Sequence, residues 1–243
     1  MNALVVGGSS GIGLSIVLNL VGREEYDQVY VLDKAVFPEE YRTDKVVAEV
    51  IDFSKGDYSC LDRIDDIQAL YVTAGFGHLG FFQELSDEYI NDIFAVNAIA
   101  PVRIIRHYYG KMLSNKDFYC GVMVSIAGRL SSPLFSVYSA TKAALSKFIE
   151  AVNVELDVQG SRNRILEVSP GSIKGTGFTG GKSQPGMTSV LAGEIILRAE
   201  LHDELYIPQY EEIYRGVLER YATDAHKFGV ESYWYKKKRL EQE

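Results

Sequence analysis

Apolar residues along the chain fall into two kinds of run. Short blocks at 2–6, 28–33, 46–51, 69–73, 119–124, 165–168 and 204–207 are dense in Val, Ile, Leu and Tyr. Each is too short to bury itself except as a sheet strand. Between them lie longer segments whose apolar residues recur three and four apart. Ile12, Ile16, Val17, Leu20 and Val21 mark one face of a helix that ends near Gly22. Ile90, Ile93, Phe94, Asn97, Ile104 and Ile105 keep phase through 85–109, where Pro101 marks a bend or a join. Helical patterns also cover 138–157, 190–201 and 210–220. Strands alternating with helices predict an α/β fold of about seven strands, a parallel sheet with helices on both faces. Right-handed crossovers put its working edge at the strands' C-terminal ends.

The links add detail. Residues 34–45 hold Pro38 and many charges, so any helix there is brief, and 54–66 has room for about two turns. Residues 172–188 are rich in Gly, Ser, Thr and Lys and include Pro185, which predicts a mobile flap. A C-terminal extension follows from about 209 to 243 and ends in an aromatic, basic tail, Tyr233 to Arg239. Without repeats or a linker-like stretch, 1–243 is expected to form one domain.

Composition narrows the functional classes. A net charge of −8 argues against a nucleic-acid partner, which calls for a basic surplus. Cys60 and Cys120 are the only cysteines. They make no disulfide framework and, without clustered histidines, no metal site. No apolar run reaches the roughly 18 residues of a membrane span. The first strand begins at once, with no basic, apolar leader before it, so the expected location is cytoplasmic.

Chemistry-bearing residues gather at the predicted strand ends. Gly7, Gly11 and Gly13, with Ser9, Ser10 and Ile12 between and beside them, join the first strand to the first helix. Glycines there let the backbone approach a pyrophosphate, and the helix N-terminus offers free N–H groups and a positive dipole end. The spacing is G-x-x-x-G-x-G rather than G-x-G-x-x-G, with Ile16 where the latter needs glycine. Asp33 ends the second strand, where a carboxylate would hold ribose hydroxyls and repel a 2′-phosphate. It therefore favours NAD over NADP, with the neighbouring Lys34 pulling the other way. Asp52 ends the third strand and is either an acceptor for an adenine amino group or a local cap. Tyr138 and Lys142 stand four apart on a predicted helix, hence on one face. The ammonium should lower the phenol pKa from about 10 toward working pH, although a bare Tyr-x-x-x-Lys is a weak signal by itself.

In their order and spacing these residues resemble the short-chain dehydrogenase/reductase family, in its form of about 250 residues, over residues 1 to about 210. Gly7-x-x-x-Gly11-x-Gly13 is similar to the family's cofactor turn, and Asp52 to its adenine-contacting acid. Thr73-Ala74-Gly75 is similar to part of an Asn-Asn-Ala-Gly segment, with Val72 and Thr73 in place of the asparagines. Asn97, Ser125 and Tyr138-Ser-Ala-Thr-Lys142 resemble the catalytic set, Ser125 lying 13 residues before the tyrosine. Pro170-Gly171 resembles the turn after the sixth strand, with Gly175 where the family has threonine and Thr176 one place late. The resemblance implies a Rossmann-type, doubly wound sheet and NAD(P)-dependent interconversion of a carbonyl and an alcohol. In that scheme Tyr138 exchanges the proton with the substrate oxygen and Ser125 holds that oxygen. Lys142 binds the nicotinamide ribose and tunes the phenol, and Asn97 anchors a water that relays protons. The glycine turn, Asp33, Asp52, Ala74, Gly75, Pro170, Gly171 and the Ile173 backbone hold the cofactor. Family members pair through helices near 85–109 and 138–157, so a homodimer or homotetramer is implied; Ala140, Ala143 and Ala144 would allow close approach.

The substrate side is less marked. Phe76, His78, Phe135 and Phe178 lie on loops at the same edge and suggest an apolar pocket for a small molecule, or simple loop packing. Lys182 is a candidate partner for an anionic substrate. Two other readings stand: a cofactor-binding regulator of the same fold without turnover, and a nucleotide-sugar epimerase. The roughly 70 residues after Pro170 are few for the latter's sugar-nucleotide portion.

Overall fold

The computed structural model describes residues 1–176, 178 and 184–241. Seven parallel strands form its sheet: β1 (Asn2–Val6), β2 (Gln28–Asp33), β3 (Val46–Val50), β4 (Ala69–Val72), β5 (Tyr119–Met123), β6 (Ile165–Val168) and β7 (Leu205–Tyr206). Their order across the sheet is β3-β2-β1-β4-β5-β6-β7. The chain builds outward from β1 in one direction and then restarts at β4 in the other. That reversal opens a crevice at the C-terminal ends of β1 and β4, where the helices on the two sides diverge.

Side-chain alternation decides the layers. Ala3 and Val5 of β1 face a core made with α1 (Gly11–Val21), through Leu14, Ile16, Val17 and Leu20. Ala192, Ile195, Ile196 and Ala199 complete that core; they come from the helix over Pro185–Glu200. Leu4 and Val6 face the other way, toward Ile104, Ile105, Leu145 and Ile149. Those belong to the helices over Ala100–Met112 and Ser136–Val158. In chain order after α1, the helices are α2 (Asp87–Phe94), α3 (Ala100–Met112), α4 (Ser136–Val158), α5 (Pro185–Glu200), α6 (Arg215–Thr223) and α7 (Ala225–Leu240).

The departures from expectation have local causes. The segment 85–109 is two helices joined by a π-helical turn, Ala95–Ile99, and Pro101 sits in the first turn of α3, where its missing N–H does no harm. The α4 helix starts two residues before Tyr138. The α5 helix starts at Pro185, inside the stretch expected to be a flap, because proline is equally suited to a helix's first turn. The expected helix at 210–220 is instead a π-helical turn, Tyr210–Tyr214, running into α6. The basic tail is helical: α7 seats Gly229 against Ser131, and Lys236 donates to Ser132 Oγ at 2.5 Å and to the Pro133 carbonyl at 3.2 Å. No described helix is long and apolar enough to cross a membrane.

Candidate active site

The glycine turn is built by exclusion. Gly7 has φ +87°, a left-handed conformation, and a Cβ there would overlap the Ala74 backbone. A Cβ on Gly13 would overlap the Gly7 carbonyl and crowd the Thr73 hydroxyl. The turn thus packs closely on the end of β4 where α1 begins, a helix N-terminus that suits a phosphate. Thr73, where the family's asparagine is absent, still ties the turn to β4. Its hydroxyl donates to the Val6 and Gly7 carbonyls at 3.1 and 3.0 Å, and its N–H to Val6 at 2.8 Å.

Asp33 accepts from the Ser9 N–H at 2.8 Å and the Ala35 N–H at 2.9 Å, one through each carboxylate oxygen. Each oxygen keeps further acceptor capacity. The Ser9 hydroxyl donates to the Ala35 carbonyl, and Ser10 occupies the N-cap position of α1 without a side-chain cap bond. Asp52 accepts from the Ser54 N–H at 3.0 Å and pairs with Lys34 at 3.2 Å. The Ser54 hydrogen bonds, more than Lys34, hold its carboxyl below the usual range. Asp52 is thus a local cap, and Lys34 is drawn to it rather than to Asp33.

Tyr138, Lys142, Ser125 and Asn97 are all buried, and their surroundings are tightly connected. Ser125 closes β5; its Oγ accepts from the Ala127 N–H at 3.1 Å and donates to the Pro170 carbonyl at 3.4 Å. It also stands near enough to the Tyr138 phenol to lower its pKa in part. One turn of α4 further on, Lys142 donates to the Met123 carbonyl at 2.8 Å, its Nζ 5.8 Å from the centre of the Tyr138 ring. Asn97 sits in the π-helical turn, a deformation that frequently marks functional sites. Its amide accepts from the Phe76 N–H at 3.0 Å, donates to the Phe76 carbonyl at 2.8 Å and reaches Thr141 Oγ1 at 3.3 Å. The Asn97 side chain therefore clasps the loop after β4 onto α4. Gly75 on that loop is closely packed: a Cβ would stand 3.2 Å from Asn97 Oδ1 and 3.3 Å from Lys142 Nζ, so both side chains would have to shift.

The electrostatics correct the sequence expectation. Burial pushes the Tyr138 phenol up to about 12, with the neighbouring Ser125 hydroxyl pulling it down only in part. Burial also brings the Lys142 ammonium down to about 8. Desolvation outweighs the attraction that a lysine one turn away was expected to exert.

Two rings flank the phenol. Phe135 lies 4.3 Å and Phe178 5.4 Å from the Tyr138 ring, centre to centre, and Phe135 and Phe178 meet edge to face at 6.2 Å. Gly77 completes the box. Phe76 and His78 pack on Tyr89 instead, and the His78 N–H donates to its hydroxyl at 2.9 Å. Lys182 lies outside the described residues. After β6, Pro170 accepts from the Ile126 N–H at 2.9 Å. The following segment folds back to the glycine turn, where a Cβ on Gly11 would come within 3.0 Å of the Thr176 carbonyl. Ile173 accepts there from the Thr176 hydroxyl.

Two polar features lie outside the residues marked from sequence. Glu167, on β6 inside the apolar run Ile-Leu-Glu-Val, is buried. It accepts from Arg129 at 2.6 and 3.0 Å, Ser169 at 2.6 Å and Ser146 at 2.8 Å. Tyr214, from the C-terminal extension, packs on Gly171. An acid in the middle of an apolar run is the one clue that Glu167 offered; nothing near 214 pointed toward the β6 turn.

Comparison with known proteins agrees with this geometry. Residues 1–185 match the family model for short chain dehydrogenases. The uncharacterized oxidoreductase TDA5 of Saccharomyces cerevisiae is 29% identical over 188 residues, 74% of this chain. The match spans 57% of that relative's length. A short-chain dehydrogenase structure from Streptomyces avermitilis superposes with a TM-score of 0.77 at 23% identity, covering 95% of this chain and 98% of that one. One from Burkholderia cenocepacia, in complex with NADP, gives 0.72 at 22%, covering 95% and 96%. With seven parallel strands reversing at β1 and β4, and a family match across the glycine turn and the Tyr138–Lys142 helix, the chain belongs to the short-chain dehydrogenase/reductase family.

Proposed function

We propose that residues 1–243 act as one domain and catalyse NAD(P)-dependent interconversion of a small-molecule carbonyl and alcohol, with Tyr138 as general acid and base. The observation that carries this reading is the buried cluster of Ser125, Tyr138 and Lys142 beside the glycine cradle. The cradle fits a dinucleotide: Gly7, Gly11 and Gly13 let the chain turn tightly into the α1 N-terminus, with Ser9, Ser10 and Ile12 alongside. Asp33 and Asp52 stand at the adenosine side, and Ala74, Gly75, Pro170, Gly171 and the Ile173 backbone at the nicotinamide side. When bound, the nicotinamide supplies or takes the hydride and, oxidised, brings a positive charge.

The chain's own residues handle the proton. In reduction the Tyr138 hydroxyl gives its proton to the substrate oxygen while Ser125 hydrogen-bonds that oxygen. Lys142 holds the nicotinamide ribose and, with the charge of the oxidised cofactor, offsets the desolvation that keeps the phenol neutral. Because the Asn97 side chain is engaged with Phe76 and Thr141, a water relay to Lys142 runs through the backbone of its π-helical turn. Phe135 and Phe178 favour an apolar substrate. NAD is preferred over NADP: Asp33 faces the ribose and Lys34 is paired with Asp52. The chain works as a homodimer or homotetramer in a reducing cytoplasm, where buried Cys60 and Cys120 remain thiols.

A carbonyl panel with NADH and NADPH tests the reading once cofactor binding is measured. Tyr138→Phe should lower kcat at least about 100-fold with NADH affinity retained, and NADH should bind more tightly than NADPH. Unchanged turnover in that variant would refute the assignment.

A further inference from the structure

The turn after β6 is held from outside the part of the chain that matches the family model. That match ends at residue 185, and Tyr214 lies beyond it, at the last position of the π-helical turn Tyr210–Tyr214. The turn is entered through Gln209, whose φ of +59° is left-handed and strained for a non-glycine residue. This irregular backbone brings the Tyr214 ring against Gly171, where a Cβ would overlap the hydroxyl oxygen and its ring carbon. The Ser172 backbone stands close enough to that hydroxyl to pull its pKa partly back from the rise that burial causes. Gly171 therefore has two reasons to lack a side chain: the turn it makes and the phenol lodged against it. On its other side the same turn is tied to the catalytic serine loop, through Ser125 Oγ and the Ile126 N–H on the Pro170 carbonyl.

We propose that Tyr214 is a positioning residue for the nicotinamide half of the cofactor: its hydroxyl fixes the 170–173 turn so that the Ile173 backbone meets the carboxamide. This rests on the dinucleotide reading above and extends it to the C-terminal extension. A backbone contact is only as exact as the turn that carries it, and displacement of groups that orient a ligand weakens binding and misaligns the reacting atoms. The adenosine half, held by the glycine turn and Asp33 across the crevice, does not depend on Tyr214.

The test compares ligands that do and do not contain the nicotinamide. Tyr214→Phe keeps the ring and removes the hydroxyl. Affinities for NADH, NAD⁺ and ADP-ribose are measured by calorimetry, with the melting temperature as a check on folding. NADH and NAD⁺ should bind about fivefold more weakly, the size expected when one polar contact to the turn is lost, while ADP-ribose affinity is unchanged. Amide exchange at Ser172 in the free protein should quicken. Gly171→Ala, which evicts the phenol, should reproduce the selective loss and add little to it in the double variant. Equal weakening of all three ligands would make Tyr214 a general structural residue. Unchanged or tighter NADH binding would refute the positioning role outright. An unaltered chain that binds neither NADH nor NADPH overturns the dinucleotide reading itself, and that result precedes any substitution.

Discussion

Burial disfavours the charged form of both Lys142 and Tyr138, the ammonium of the one and the phenolate of the other. In the folded chain Lys142 titrates at about 8 rather than 10.5. Below pH 8 both folded and unfolded chains carry that proton, and its burial penalty is felt in full. Between pH 8 and 10.5 the unfolded chain binds more protons, so stability rises with pH through this window. Tyr138 runs the other way: its phenol is at about 12 against an ordinary 10.0. Between those values the unfolded chain loses its proton first, and stability falls. Lys142→Met should therefore stabilise the protein at pH 7, by at most about 3 kcal/mol from a shift of this size. The gain should shrink toward zero by pH 10.5. Thermal melts of both proteins across pH 6–11 measure this; a gain that does not vary with pH would contradict it. Activity should be lost in the same variant, which separates the residue's contribution to the site from its contribution to the fold.

At the scale of elements, the loop after β5 and the strand β6 are joined by an ion pair that local sequence preference would not place there. Apolar strands in a parallel sheet are covered on both faces, yet β6 carries Glu167 in its centre. The charge is tolerated because Arg129 reaches it with two nitrogens and two hydroxyls complete its shell. Arg129→Met should lose about 3–5 kcal/mol, since it strands a buried carboxylate. Adding Glu167→Gln should recover part of that loss, because a neutral amide can keep the two serine hydrogen bonds. Denaturant unfolding of the single and double variants decides it; no recovery in the double variant would place the cost elsewhere. The π-helical turn belongs to the same scale. The apolar phase of 85–109 ran through Asn97 as though the helix were continuous, and Asn97 was marked by its resemblance to a family position. Its clasp on Phe76 is a contact 21 residues apart, beyond the reach of local periodicity.

For the whole molecule, one face of α4 has no partner among the described residues. Val154 and Val158 are 60% and 81% exposed there, and Ala140, Ala143, Ala144 and Ala151 are exposed on the same helix. Small and β-branched residues on a long exposed helix suit close pairing with a second copy. The proposed dimer makes Val158→Asp a sharp test: the native chain should run at twice its 27.1 kDa mass or more in light scattering after gel filtration, and the variant should shift toward monomer. A native chain that is monomeric at micromolar concentration would remove this part of the proposal.

The sequence by itself determined the strand–helix alternation, the parallel sheet and the positions of the glycine turn, Asp33, Ser125, Tyr138 and Lys142. Each is written in a pattern shorter than about twenty residues: apolar period, glycine spacing, i to i+4 placement. Tertiary structure decided what those residues experience. Burial outweighed a neighbouring cation and raised the phenol pKa. Lys34 turned to Asp52, and Thr73 supplied hydroxyl bonds where an asparagine was expected. The C-terminal extension, which as sequence was a helix and a basic tail, came back to pack Tyr214 on the β6 turn and to bond Lys236 to the loop before α4. Desolvation and long-range contact depend on which distant segments arrive at a site, and neither is encoded in the spacing of the residues that form it.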